Sequence, residues 1–161
     1  MTVFGKPLSA YARFAKLGLA VVAAVTLLRL ILSLAGVDND AAKWVSGTAA
    51  ALAAALVYSA RVHTKGFGSY KQVLPVVWLI AMTLSVLVAL AVMLGIVTGQ
   101  DNIFTAPEYS GGQDGKNWVH VFAHIVVGAV ILPLVLWGLG SLVLLVTKAV
   151  APRPGSTRAA A

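Results

Sequence analysis

The chain has 161 residues, of which 60% are hydrophobic and only 11% are charged, against about 25% charged in an ordinary soluble domain. A water-soluble fold of this size has too little interior for so much apolar surface, so the composition predicts an integral membrane protein. The net charge of +7 does not indicate nucleic-acid binding, because the basic residues flank apolar runs, where they orient a membrane protein. The lack of cysteine excludes disulfides, thiolate metal sites and thiol redox chemistry.

Four apolar runs are long enough to cross a bilayer, for which about 20 helical residues suffice. The first predicted span, residues 17–37, follows a basic lead in which a helix can begin near Ser9, along the membrane surface. This run is longer than the core of a usual signal peptide, so we interpret it as a spanning helix. The other predicted spans cover residues 44–60, 73–97 and 118–147.

The second run is mostly alanine, and this composition predicts close contact with other helices. Helices in lipid associate through close backbone approach, which small side chains permit. We expect this span to be the central helix of the bundle, with the face that carries Ala50 and Ala54 buried against protein. The alternative is a dedicated dimerisation helix.

The distribution of charge predicts the orientation of the spans. Nine Lys and Arg residues flank one side of the predicted membrane, whereas two flank the other side together with all five acids. Cytoplasmic flanks collect Lys and Arg, so both termini are predicted to be cytoplasmic and the loops at 38–43 and 99–117 to lie outside. The predicted fold class is therefore an all-α integral membrane protein, an antiparallel four-helix transmembrane bundle with both termini cytoplasmic.

Residues 1–150 are predicted to form a single four-span domain. Residues 151–161 contain two prolines and no apolar periodicity, which indicates a flexible cytoplasmic tail. The predicted location is the bacterial cytoplasmic (inner) membrane.

Ionisable groups inside spans are costly, so they are the best indicators of function in a membrane sequence. Arg29 is the one formal charge inside a predicted span and lies about 12 Å below its outer edge. His120 and His124 share a helix face, and His124 is about 10 Å deep by the same rise per residue. We expect Arg29 and His124 to converge under a roof formed by residues 104–109. Glu108, another acid of the outer loops or a bound anion would neutralise the arginine.

Simpler interpretations exist for the same residues. Arg29 can extend its side chain towards outer-leaflet phosphates, and the two histidines can be interfacial residues hydrogen-bonded to the loop.

No cofactor is strongly implied. Haem is disfavoured, because His63 lies at the opposite membrane edge from His120 and His124, and one haem needs two histidines at similar depth. Zinc takes three or four ligands; His120 and His124 would supply two, and Glu108 or another loop acid a third. Motifs of metalloproteases, nucleophilic hydrolases and nucleotide-binding proteins are absent from the sequence, so the pattern does not favour an enzyme. The inner halves of the spans lack ionisable groups, which disfavours a channel.

Three functions are compatible with this sequence. The first is an accessory or assembly subunit that binds partner membrane proteins through its helix faces. The second is a protein or enzyme with a metal or anionic-lipid site in the outer leaflet, using Arg29, His120, His124 and the loop acids. The third is a small transporter with a parallel hairpin repeat, because the stretch before Trp44 resembles the stretch before Trp118. Membrane lipids and a protein partner or second copy are the expected partners, and nucleic acid is not.

Overall fold

The structure is a computed structural model that describes residues 2–151. It is helical, and four stretches are long and apolar enough to cross a membrane: Leu8–Leu34, Asn39–Thr64, Tyr70–Thr98 and Trp118–Val150. The prediction of an all-helical chain with four helices able to span a membrane is thereby confirmed. Of the predicted tail, everything beyond Ala151 lies outside the described residues.

The elements follow one another in a simple order. They are β1 (Thr2–Val3), β2 (Lys6–Pro7), α1 (Leu8–Leu34), α2 (Asn39–Ala42), α3 (Gly47–Thr64), α4 (Tyr70–Thr98), α5 (Trp118–Val126) and α6 (Leu132–Val150). A π-helical turn, Val127–Ile131, joins α5 to α6, and a 3-10 turn, Pro107–Tyr109, lies in the loop between α4 and α5. We call the end of the bundle with β1 and β2 the hairpin end, and the end with the loop at 99–117 the loop end.

The first helix starts earlier than the predicted span and has no separate surface segment before it. Helix α1 runs unbroken from Leu8, directly after Pro7. The preceding strands pair in an antiparallel hairpin. Its turn residues Phe4 and Gly5 have φ angles of 47° and 83°, because tight hairpins of this kind need positive φ at both central positions.

The second span is shifted along the chain relative to its prediction. Helix α3 starts at Gly47 because Ser46 caps it, its hydroxyl accepting the N–H of Ala49 at 3.2 Å, which ends the irregular stretch before it. Trp44, the predicted start, is 82% exposed. At its other end the helix continues to Thr64, just before Gly66 adopts a positive φ of 60°.

The central helix is α4 rather than the alanine-rich second span. Helix α4 packs against α1, α3, α5 and α6. In its most apolar stretch 50% of the residues are buried, compared with 39% in the stretch Asn39–Thr64 that contains α3. Its branched side chains, such as Ile80, fill the core, whereas alanines bury little surface each. On α3, Ala54 is buried as expected, but Ala50 is only half-buried, so that part of the prediction is wrong.

A proline shapes the middle of the fourth span. Pro133 has no N–H, so it cannot donate the α-helical hydrogen bond to the carbonyl of Ala129, four residues earlier. Trp78 on α4 supplies a donor instead, with its Nε1–H 3.1 Å from that carbonyl. Within the same turn Gly128 lies directly against Ser85 of α4. The π-helical turn thus brings α5 close to α4, three residues after His124.

Candidate functional site

The loop between α4 and α5 is folded onto the ends of two helices. The side-chain amide of Asn102 is buried and donates to the carbonyl of Ala91 on α4 at 3.0 Å. The next backbone N–H, that of Ile103, donates to the hydroxyl of Ser33 on α1 at 2.8 Å. Ile103 is itself fully buried. These contacts hold the segment that follows, residues 104–109, over the loop end of the bundle.

Lysines pair with three of the chain's five acids. Lys116 donates to Asp101 and lies 3.5 Å from Asp114, while Lys43 pairs with Asp40 at 2.7 Å. The hydrogen bond to Asp101 raises the pKa of Lys116. The backbone N–H of Lys116 donates to Asp114 and lowers the pKa of that carboxyl. These acids are therefore engaged at the loop surface.

Arg29 lies beneath the loop with aromatic rings instead of an acid beside it. Its guanidinium carbon is 5.4 Å from the ring centre of Phe104 and 5.6 Å from that of Tyr109. Its Nε is buried without a hydrogen-bond partner. Within residues 2–151 no carboxylate lies within ion-pair distance of this guanidinium. The predicted acidic partner is not supplied by the described residues.

His120 and His124 contact each other at the start of α5. Asn117 caps the helix, its side-chain oxygen accepting the N–H of His120 at 2.8 Å. The His120 Nδ1 is 2.9 Å from the carbonyl of Gly115; a carbonyl only accepts, so Nδ1 carries the proton. The two Nε2 atoms are 3.0 Å apart. In the neutral pair, therefore, His124 donates its Nε2–H to His120.

His124 also lines a cavity of about 260 Å³ between the helices. Most of the wall is apolar, and Thr48 and Ser85 add hydroxyl groups. Phe104 lines the same cavity and also stacks with Arg29. Phe104 thus contacts Arg29 of α1 and borders the cavity that His124 of α5 lines.

Glu108, by contrast, has not been brought to the histidines. Its side chain is exposed, and it makes none of the ion pairs found in the described part of the chain. That part also contains no group of three or more His, Cys, Asp or Glu side chains placed to hold a metal ion. A zinc site with His120, His124 and a loop acid as ligands is therefore not assembled by these residues.

Several polar groups of this region do not stand out in the sequence. Asn117 has a recognisable signal, since Asn directly before a helix is a preferred cap. The carbonyl of Gly115 carries no such signal, because the bond to His120 depends on how the loop folds. Thr48 and Ser85 are small polar residues in apolar spans and give no warning of a cavity.

The chain matches no protein-family profile, no curated protein and no solved structure.

Proposed function

We propose that this chain is a small membrane protein that binds the anionic headgroup of a phospholipid at Arg29. The observation that carries the proposal is the buried Nε of Arg29, which has no acceptor among residues 2–151. A guanidinium at the centre of a span costs about 2.5–3.5 kcal/mol, and Arg29, five residues before the end of α1 at Leu34, would bear only part of this cost. Cation–π contacts at partly exposed positions return about 0.5–1 kcal/mol each. The two rings accept no hydrogen bond from the buried Nε, and an anion from outside the chain would supply that acceptor.

The surroundings of Arg29 are held in place before any ligand binds. Phe104 follows Ile103, whose N–H is bonded to Ser33, one helical turn beyond Arg29 on α1. The hydroxyl of Tyr109 donates to the carbonyl of Asn39 at 3.3 Å. Because both rings are tied to neighbouring elements, the guanidinium has a fixed cradle, which lowers the entropic cost of binding.

The proposal includes the arrangement of the helices in the membrane. We propose an antiparallel bundle with both termini cytoplasmic and the loop end outside. Two contacts support the antiparallel arrangement of α1 and α3: Gly18 lies against Tyr58, and Thr26 lies against Gly47. The excess of Lys and Arg at the hairpin end supports the orientation, so Arg29 would face the outer leaflet.

Accessibility on intact cells tests this orientation. Single cysteines at Asn39 and Gln113 should react with an impermeant thiol reagent, whereas a cysteine at Ser69 should not. The reverse pattern would place Arg29 in the inner leaflet and contradict an outer-leaflet lipid site.

Lipid binding is tested by native mass spectrometry of the detergent-purified chain titrated with phosphatidylglycerol. We expect one tightly bound lipid, with affinity about tenfold lower in Arg29→Gln, a change of about 1.4 kcal/mol. Arg61→Gln is the matched control, because Arg61 also stacks on an aromatic ring, that of Tyr58 at 5.2 Å, in the last turn of α3 at the hairpin end. Equal losses in both variants, or none in Arg29→Gln, would show that Arg29 is not a specific lipid site.

The second candidate is an accessory subunit whose partner helix brings a carboxylate to Arg29. The same unpaired guanidinium favours this function. Helix α1 favours it too, because only 17% of the residues in its most apolar stretch are buried, which leaves a face for a partner helix. In that case, a polypeptide rather than a lipid should copurify with the chain and be lost in Arg29→Gln. Recovery of such a partner with no retained lipid would decide for the accessory subunit.

A further inference from the structure

The two histidines of α5 lie four residues apart with their Nε2 atoms facing each other. The Nδ1–H of His120 donates to the Gly115 carbonyl, so the lone pair of its Nε2 points away from that bond. The Nε2 of His124 faces it at 3.0 Å, and the ring centres are 4.7 Å apart. Metal-bound histidines usually donate their second N–H to a carbonyl or carboxylate, which fixes the ring. His120 already has this arrangement.

The separation of the two nitrogens is short enough for one metal ion to bind both. Metal–imidazole bonds are about 2.0–2.1 Å long, so nitrogens 3.0 Å apart subtend an angle of about 95° at a shared ion. Two nitrogens this close can therefore occupy adjacent positions on one ion, and the order of affinity among metals then follows the general preference of imidazole sites for Cu²⁺.

We infer that His120 and His124 bind a divalent transition-metal ion through their two Nε2 atoms, with Cu²⁺ bound more tightly than Ni²⁺ or Zn²⁺. On binding, the hydrogen bond between the nitrogens is replaced by two metal bonds. His124 loses its proton from Nε2 and takes one at Nδ1, so the neutral pair releases no net proton. The remaining coordination positions belong to water or an added ligand, since the described residues place no third His, Cys, Asp or Glu there.

The site does not depend on the proposed lipid site. Helix α5 and the capping Asn117 position the histidines, whereas Arg29 belongs to α1 and contacts the loop rings. Both histidines are half-buried, so an ion can reach them without the bundle opening.

The test is electron paramagnetic resonance of the untagged, detergent-purified chain with one equivalent of Cu²⁺, combined with calorimetric titration. We expect one ion per chain and hyperfine coupling to two imidazole nitrogens. His120→Ala and His124→Ala should each remove one nitrogen from the spectrum and weaken binding at least about tenfold. His63→Ala is the matched control: it removes the third histidine of the chain, at the hairpin end, and should leave the spectrum unchanged.

A single coordinated nitrogen in the wild-type chain, or unchanged copper affinity in His124→Ala, would overturn the inference and leave a simple hydrogen-bonded pair. If an alanine variant fails to fold, His124→Gln gives the same test with a polar side chain that lacks the imidazole. Arg29→Gln separates the two proposals. It should leave copper binding intact while phosphatidylglycerol binding falls, so either site can fail without the other.

Discussion

The two ends of the bundle satisfy their polar groups in different ways. At the hairpin end the chain supplies its own partners: the Tyr11 hydroxyl donates to the carbonyl of Val3 at 2.8 Å, and the Gln72 amide donates to that of Phe4 at 3.1 Å. Even the nearby His63 has a backbone carbonyl within hydrogen-bond distance. These bonds fasten the β-hairpin to α1 and α4, and the polar groups that make them serve the fold; in the same half of the bundle the Ser141 hydroxyl of α6 is buried without a hydrogen-bond partner.

At the loop end, some polar groups keep the capacity to bind a ligand from outside the chain. The buried Nε of Arg29 has no partner within the described chain, and His120 and His124 share a hydrogen bond that a metal ion can replace. The contrast is clearest between two arginines, since Arg29 and Arg61 both stack on aromatic rings. Arg61 lies in the last turn of α3, and Arg29 lies only five residues before the end of α1 at Leu34, so the two arginines differ little in depth. The difference is that the Nε of Arg29 is buried without a hydrogen-bond partner, and this burial, not the stacking, makes Arg29 a candidate ligand site.

The comparison assumes that apolar packing is equally tight at both ends, which glycine substitutions can test. A side chain at Gly128 would meet Ser85, and one at Gly140 would meet Ser59 and Val73. We expect Gly128→Leu and Gly140→Leu each to lower the free energy of unfolding by about 1–3 kcal/mol or more through overpacking. Unfolding in mixed micelles with increasing dodecyl sulfate measures this loss.

Gly138→Leu is the control for both variants, because nothing lies within 4 Å of a Cβ built there. It should be tolerated. If Gly128→Leu were tolerated too, the loop end would be loosely packed, and its unpaired polar groups would reflect poor packing rather than a site.

Two tyrosines compare hydrogen bonds at the two ends directly. Tyr11 is fully buried, and its hydroxyl donates to the carbonyl of Val3. Tyr109 is exposed, and its hydroxyl donates to the carbonyl of Asn39 at 3.3 Å. Tyr11→Phe should cost about 1 kcal/mol of unfolding free energy because it leaves a carbonyl without its donor. Tyr109→Phe should cost less than half as much by the same measurement. Equal costs would remove the distinction between a structural hairpin end and an adaptable loop end.

The bond between Trp78 and Ala129 is expected to have a smaller effect. Side-chain hydrogen bonds in membrane proteins couple by about 0.6 kcal/mol on average. Trp78→Phe should therefore destabilise the wild-type chain by roughly that amount beyond the lost ring volume. In a Pro133→Ala background the new backbone N–H can serve the Ala129 carbonyl, so the hydrogen-bond part of the loss should vanish. If the double-mutant cycle of Trp78→Phe and Pro133→Ala gave no coupling free energy, the π-helical turn would not need the hydrogen bond from Trp78.

The number of spans could be predicted from the sequence because bilayer thickness fixes the length of an apolar run. Their ends could not, since local caps decide them. Ser46 moves the start of α3 to Gly47, and the hairpin lets α1 start at Leu8. The central helix was also predicted wrongly, because small residues indicate close contact without showing which helix the others surround.

Part of the candidate site could be anticipated from charge and depth alone. Arg29 and His124 stand out in the sequence as ionisable groups at similar depth. In the structure Arg29 stacks on Phe104 and His124 lines a cavity that Phe104 also lines, and the convergence of the two residues stays a prediction. The partners were harder to predict. Glu108 carries the right charge but remains exposed, because the loop conformation is set by buried contacts of Asn102 and Ile103 that have no signature in the sequence.

The smallest expected effect is a pH dependence confined to the loop end. All five acids flank this end in the sequence, and the backbone N–H of Lys116 lowers the pKa of Asp114 below its usual value of 3.8. The contribution of that bond is therefore present above pH 3.8 and is lost as the pH falls through the lower, folded value. In nuclear magnetic resonance spectra between pH 5 and 3, the Lys116 amide proton should shift with a midpoint below 3.8. The side-chain amide of Gln72 at the hairpin end should not move. Asp114→Asn should abolish the shift at Lys116, and a midpoint at or above 3.8 would contradict the hydrogen bond.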